Sequence, residues 1–266
     1  MKQASTYQSI KLSNNQVSEI EDSLVIEAPL QININSESYT VVMRTPGDDK
    51  ELIRGLLYAE DIYKKTSDLK IETIEENKDY SSILNVFIPK EKLGKGYLNK
   101  RTLLSVSSCG ICGKKEIKDL KTEDKPLTEK HKESLHIKDS MYLKMNSMQE
   151  LFSVTGGSHA CALFDRKQNL LTIKEDIGRH NAVDKCIGDL LNKNLLKSTN
   201  YMLVSGRVSY EIVSKAFLAK IPIIIAVSAC SSLAVDFAKE FGICLIGFSR
   251  NNKMTIYSNP QYINYE

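Results

Sequence analysis

Ile221-Pro222-Ile223-Ile224-Ile225-Ala226-Val227 is the longest apolar run of the chain, and it is short and β-branched. A run of that kind reads as a strand buried on both faces, as in a parallel sheet. Outward from it the pattern alternates. A helix over 209–219 and a strand over 200–205 precede it, and a helix over 232–241 and a strand over 243–248 follow. Farther upstream lie a helix over 180–192, strands over 170–175 and 160–165, and a helix over 141–152. Short loops between alternating strands and helices predict an α/β layer with a largely parallel sheet.

The first hundred residues read differently. Residues 1–12 look like a loose tail. From about 24 to 100 the pattern is strand, strand, helix, strand, strand. Leu30-Gln31-Ile32-Asn33-Ile34-Asn35 alternates apolar and polar, and Tyr39-Thr40-Val41-Val42-Met43 follows a polar turn. Pro46-Gly47-Asp48-Asp49 opens a helix with Leu52, Ile53, Leu56 and Leu57 on one face. Between the two units, residues 114–139 are more than half charged with little apolar periodicity. They read as a solvated linker, or as a mobile arm presenting what precedes it. The expected division is therefore a tail (1–12), an α+β unit (13–100), a loop and linker (101–140) and an α/β unit (141–266).

Composition narrows the function classes. The 266 residues are 42% hydrophobic and 26% charged, as in an ordinary globular protein. A formal charge of +3, from 36 basic and 33 acidic residues, gives no basis for a nucleic-acid or membrane partner, though a local excess would suit a small anion. The start has no apolar leader and no segment reaches a membrane-spanning length, so the six cysteines are expected as reduced thiols in the cytoplasm.

Two of those cysteines stand apart. Ser107-Ser108-Cys109-Gly110-Ile111-Cys112-Gly113-Lys114 is a CxxC on a turn-prone loop. The glycines leave both sulfurs open, and Lys114 and Lys115 favour the thiolate, the nucleophilic form. Structural zinc would want four ligands, and no second CxxC exists; His131 and His136 are a weak pair in the charged arm. No structural zinc is expected. Cys161, Cys186, Cys230 and Cys244 lie in apolar contexts and read as core.

Open α/β sheets bind ligands beyond the carboxyl ends of their strands. The unusual residues of the chain gather there: Gly156, Gly157 and His159 on the turn before one strand, and Arg179 and His180 after another. Ser205, Gly206 and Arg207 follow the next, Ser228 the one after, and Phe248, Ser249, Arg250, Asn251, Asn252 and Lys253 end the last. Each turn alone is weak; several with Arg179, Arg207 and Arg250 point to a phosphate-bearing ligand. His159 and His180 need weighing, since a histidine near a helix start is more often a hydrogen-bonding or capping residue than a ligand or base.

Together these residues resemble the formate dehydrogenase accessory proteins called FdhD. The resemblance runs from about 24 to 258. It rests on Arg44-Thr45-Pro46, Ser108-Cys109-Gly110-Ile111-Cys112-Gly113 and Thr155-Gly156-Gly157-Ser158-His159. It rests above all on Glu175-Asp176-Ile177-Gly178-Arg179-His180-Asn181-Ala182-Val183-Asp184-Lys185, with Ser205-Gly206-Arg207-Val208-Ser209, Ile221-Pro222 and Gly247-Phe248 after it. Cys161 and Cys230 stand where that family more often has alanine and proline.

What the resemblance implies is a sulfurtransferase acting as sulfur carrier. A cysteine desulfurase would load a persulfide on the CxxC, Cys109 as carrier and Cys112 as second thiol. The sulfur would pass to the molybdenum or tungsten bis(molybdopterin guanine dinucleotide) cofactor, bound as cargo before its insertion into apo formate dehydrogenase. GDP would serve as an analogue of the cargo, Phe248 to Lys253 would bind it, and a homodimer would present two nucleotide pockets. The family's C-terminal body resembles the three-layer cytidine deaminase fold, but His180-Asn181-Ala182 and Ser205 to Ser209 lack the zinc cysteines and catalytic glutamate of a deaminase. A cofactor-binding chaperone without sulfur chemistry and a CxxC thiol-disulfide oxidoreductase stay open as alternatives.

Overall fold

A computed structural model of the chain describes residues 2–65, 69–98, 125–128, 132–134, 137–250 and 253–264. The amino terminus is not a loose tail. β1 (Ala4–Ser13) and β2 (Gln16–Val25) form an antiparallel hairpin. Asn14 and Asn15 turn it with φ of 47° and 63°, the left-handed pair that a two-residue hairpin loop requires. Sequence pattern missed it because both faces are largely exposed, so burial imposes no clean alternation.

The next unit follows expectation. β3 (Ala28–Ile34), β4 (Glu37–Arg44), α1 (Asp49–Ala59), β5 (Lys70–Glu76) and β6 (Ser82–Phe87) give a four-stranded sheet in the order β4-β3-β6-β5, and a short helix α2 (Lys95–Leu98) follows. Leu30, Ile32 and Ile34 face Leu52, Ile53, Leu56 and Leu57 of α1 in one buried cluster. Arg44, fully buried, forks onto Asp49 through Nε (2.9 Å) and Nη2 (2.8 Å), tying the end of β4 to the first turn of α1.

The charged linker is not wholly free. The Leu127 N–H donates to the Phe241 carbonyl (2.8 Å), and the Leu127 carbonyl accepts from the Tyr262 hydroxyl (3.1 Å). Gly242, at φ 70° and without a side chain, admits that close approach. β7 (Glu133–Ser134) pairs later with β14 (Ile263–Asn264).

The helix expected over 141–152 is two, α3 (Ile137–Ser147) and α4 (Glu150–Thr155). Gln149 breaks them at ψ 68°, and the Glu175 carboxylate accepts from the N–H groups of Leu151 and Phe152, capping α4 from another strand. Then come β8 (His159–Asp165), β9 (Leu170–Asp176), α5 (Arg179–Asn192), β10 (Thr199–Val204), α6 (Tyr210–Leu218), β11 (Ile223–Ala226), α7 (Ser232–Phe241), β12 (Cys244–Arg250) and β13 (Lys253–Ser258).

These strands form one sheet in the order β13-β12-β11-β10-β8-β9. The parallel part is its centre, β10-β11-β12, where helical crossovers join the strands. β8, β9 and β13 join antiparallel, since β8–β9 and β12–β13 are hairpins. The sheet is thus mixed rather than mostly parallel. Met202, Val204, Ile224, Ala226 and Leu245 face α5, α6 and α7, while Tyr201, Leu203, Ile223, Ile225 and Ile246 face Met141 and Met145 of α3 with Tyr262. The unit is a three-layer α/β structure. No described helix is long and apolar enough to cross a membrane.

Candidate functional site

Strand direction fixes where the unusual residues meet. β10, β11 and β12 run parallel, so their carboxyl ends share one edge. β8 runs against β10, with Val204 opposite Cys161, so β8 starts at that edge; β9 runs against β8, with His159 opposite Asp176, so β9 ends there. His159, Arg179, Ser205 to Arg207, Ser228 and Gly247 to Arg250 therefore lie along one side of the sheet. β9 feeds α5 past β8 into β10, and β10 feeds α6 toward β11. The starts of α5 and α6 therefore lie on that edge, beyond the ends of β9 and β10.

On that edge Gly206 lies close to both His159 and Arg179. A Cβ on Gly206 would stand 3.1 Å from His159 Nδ1 and 3.5 Å from the Arg179 Cβ. Burial, then the charges of Arg179 and Arg207, push the His159 pKa down, only partly opposed by Asp176. The imidazole is therefore neutral at neutral pH, one ring nitrogen an acceptor and the other a donor. Arg179 Nε is buried with no acceptor among the described residues, and Arg207 is exposed. The N-cap of α5 is Gly178, which has no side chain to cap the first turn and leaves backbone donors facing that side, whereas the first turn of α6 carries the Glu211 carboxylate. Two guanidiniums, the uncapped start of α5 and a glycine that admits close approach suit a phosphorylated ligand.

His180 has a different place. It is buried, with Nε2 3.1 Å from the Ser209 hydroxyl and 3.8 Å from Glu211 Oε2. Burial alone would raise the Glu211 carboxyl. The Ser209 hydroxyl, its own N–H, His180 and Arg179 outweigh that and hold it below its usual range. The cluster ties the start of α5 to the start of α6.

Several expected ligand residues have structural duties. Gly156 ends α4 at φ 64°, with open space around it, while a Cβ on Gly157 would press on Val25 Cγ1 of the hairpin at 2.9 Å. The Ser205 hydroxyl accepts from the Ala160 N–H (2.9 Å) and joins β8 to β10, and the Ser228 carbonyl accepts from the Phe248 N–H (3.0 Å). Ser249 is buried. Phe248 is 42% exposed at φ 52°, a left-handed backbone unusual for an aromatic residue. Arg250 and Lys253 are exposed and opposite one another across β12 and β13. Cys109, Cys112, Asn251 and Asn252 lie outside the described residues.

Of the cysteines read as core, Cys161, Cys186 and Cys244 are buried, but Cys230 is only half-buried. It lies past the end of β11, in the connection to α7, and its Sγ would be 3.0 Å from a Cβ on Gly247. Among the described residues no three His, Cys, Asp or Glu side chains gather as a metal set.

The long run from Glu175 to Lys185 divides its labour in a way its letters do not announce. Asp176 and Lys185 form a fully buried ion pair at 2.8 Å, and Asn181 Nδ2 donates to both Asp176 Oδ1 (2.9 Å) and the Met43 carbonyl (2.8 Å). Asp184 pairs with Lys215 at 2.6 Å, and Lys174 with Asp48 at 2.6 Å. Arg179, next to Gly178 at the start of α5, lies at the strand-end edge instead. Spacing alone, with Asp, Asn and Lys five and nine positions apart, could not separate struts from ligands.

Residues 25–264 match the FdhD/NarQ family. The sulfur carrier protein FdhD of Picrophilus torridus is 41% identical over 253 residues, 92% of this chain and 93% of that protein. That of Sulfolobus acidocaldarius is 41% identical over 248 residues, 91% and 92% of the two chains. That of Streptomyces coelicolor is 38% identical over 263 residues, 96% and 93%. A crystal structure from Desulfotalea psychrophila, described as a formate dehydrogenase accessory protein, superposes with a TM-score of 0.77. It covers 99% of this chain and 100% of its own at 24% identity, a likeness of fold.

Proposed function

The chain belongs to the FdhD/NarQ family, and from that premise we propose that it is a sulfur carrier serving formate dehydrogenase. The observation that carries this reading is the extent of its likeness to sulfur carriers, 41% identity over 92% of the chain. The Cys109-Gly110-Ile111-Cys112 run supplies the thiols. The Cys109 thiolate attacks the outer sulfur of a cysteine desulfurase persulfide. The donor's S–S bond breaks, its thiolate leaves, and Cys109 becomes the persulfide. The Cys112 thiolate then attacks the inner sulfur, hydrosulfide leaves toward the cargo, and Cys109 and Cys112 are left as a disulfide. A dithiol reductant restores both thiols.

The cargo in this reading is the bis(molybdopterin guanine dinucleotide) of molybdenum or tungsten. Its guanine nucleotide phosphates would meet Arg179, Arg207 and the uncapped start of α5. The unpartnered Arg179 Nε supports that, since a buried donor gains from an incoming acceptor. His159, neutral in the free protein, would add a hydrogen bond and take up a proton as the phosphate arrives. Phe248 would offer an apolar face, with Arg250 and Lys253 beside it. Two nucleotide halves call for two such edges, and hence a homodimer. The setting is the cytoplasm, where thiols stay reduced.

The test is persulfide mapping. After incubation with a cysteine desulfurase and cysteine, the peptide bearing Cys109 should gain about 32 Da, removable by a reductant. No gain there, with client activation intact, would leave a cofactor chaperone. Insulin reduction by the same protein would instead indicate an oxidoreductase.

A further inference from the structure

Thr45 belongs to the first unit, yet its polar groups are spent on the second. It is fully buried. Its N–H donates to Asp176 Oδ2 (3.2 Å), its hydroxyl oxygen accepts from the Ile177 N–H (3.0 Å), and its carbonyl accepts from Lys185 Nζ (2.9 Å). Asp176 completes the frame, with Oδ1 accepting from the Gly178 N–H (2.8 Å) and from Asn181 Nδ2 (2.9 Å). The turn Ile177-Gly178 is thus held from two sides, by a side chain of its own strand and by a hydroxyl from β4's end. It is tight: a Cβ on Gly178 would stand 2.8 Å from Asn181 Nδ2.

The next residue is Arg179. From the Thr45 hydroxyl to that guanidinium the path is one hydrogen bond and two residues. We propose that Thr45 is a positioning residue for the strand-end site: by holding the Ile177 N–H it sets where α5 begins, and so where Arg179 stands against Gly206 and His159. A binding group works only when its support holds it to within about 0.5 Å of its productive place. Without the hydroxyl, the Ile177 N–H loses its acceptor in a half-buried turn, and the turn shifts to find another. The inference rests on the reading of this edge as the ligand site, and it assigns to the first unit a part in that site.

The experiment is a double-mutant cycle read by calorimetry with GDP as probe. Thr45→Val keeps the buried volume and removes the hydroxyl; it should weaken GDP binding about tenfold. Thr45→Ser, which keeps the hydroxyl, should restore affinity to within about twofold of the parent. In an Arg179→Ala background Thr45→Val should cost nothing more, because its effect passes through Arg179. A purely structural threonine would instead lower the melting temperature in both backgrounds and leave the affinity of the folded protein unchanged. Equal affinity of Thr45→Val and the parent, or the same loss with and without Arg179, overturns the proposal. Thr45→Ala carries the same comparison if the valine variant does not fold. If the parent binds no GDP, the nucleotide reading fails on its own; the same cycle is then read from the rate of client formate dehydrogenase activation, and additive effects there overturn the role of Thr45.

Discussion

Gly188 of α5 lies against Gly55 of α1: a Cβ on Gly188 would stand 2.9 Å from the Gly55 nitrogen and overlap the Glu51 carbonyl, and a Cβ on Gly55 would overlap the Asp184 carbonyl. The two units of the chain thus meet backbone to backbone, at a spacing only two glycines permit. A methyl group at Gly188 forces the helices apart, and forced overpacking costs about 1–3 kcal/mol, occasionally more. Gly188→Ala should lower the unfolding free energy by the upper part of that range, read as a lower urea midpoint. It should also weaken ligand binding, because the separated units no longer hold the Asp176 turn between them. An unchanged midpoint would mean that the helices slide without cost.

His159 gives the site a pH signature. Its pKa is depressed when folded, by burial and then by Arg179 and Arg207. The unfolded chain takes up the proton near its ordinary value and the folded chain does not, so this group lowers stability as pH falls below about 6.5. A bound phosphate opposes the two arginines and raises the imidazole pKa. GDP binding should therefore take up a proton and tighten by about three- to tenfold from about pH 8 to about pH 6. His159→Gln should flatten that dependence. Calorimetry in buffers of different ionisation enthalpy reads the proton directly, and zero uptake in the parent would place the phosphates away from His159.

Much of this edge is legible in the sequence. The alternation from β8 to β12 could be read because short apolar runs there end in Gly, Ser or Asp, and strand order then brings His159, Arg179, Gly206 and Phe248 to one side. What escaped depends on partners remote in sequence. The break before α4 is made by Glu175, 24 residues after Leu151. Gly157, read as part of a phosphate turn, is instead pressed by Val25 of a hairpin whose own pattern was too exposed to recognise. Thr45 lies in a short Arg-Thr-Pro run that gives no sign of its partners, which are 131 to 140 positions away. Burial of the Asp176–Lys185 pair could not be inferred from two charged letters in a helix start.

The cysteines should separate by reactivity. Burial pushes the Cys230 thiol up to about 11 and the Cys244 thiol up to about 12, and it holds Cys186 well above its usual value. At neutral pH these are thiols, which react slowly with alkylating agents. Cys161 is fully buried. Brief iodoacetamide treatment at neutral pH should therefore label Cys109 and Cys112, beside Lys114 and Lys115, before any of the other four. Digestion and mass spectrometry read the order. Early labelling of Cys230, the half-buried member at the site edge, would make it a competing sulfur acceptor and redirect the persulfide assignment.

Phe248 combines two costs that a residue without a role would not bear. Its backbone sits at φ 52°, which for a side chain of this size costs about 1–3 kcal/mol, and its ring is 42% exposed. Glycine adopts that backbone freely and removes the ring, so Phe248→Gly should leave stability unchanged or raise it by about 1 kcal/mol. Cofactor retention should fall in the same variant, because the apolar face is gone. Arg250→Ala with Lys253→Ala should lower retention by a separate, salt-sensitive route, since exposed charges act through a screened field. Neither change should touch sulfur loading on Cys109. Thermal melts, cofactor content after purification at low and high salt, and persulfide mapping separate these effects. Normal cofactor yield from both variants would make the β12–β13 turn a structural hairpin, and a loss of stability in Phe248→Gly would show that the ring packs rather than binds.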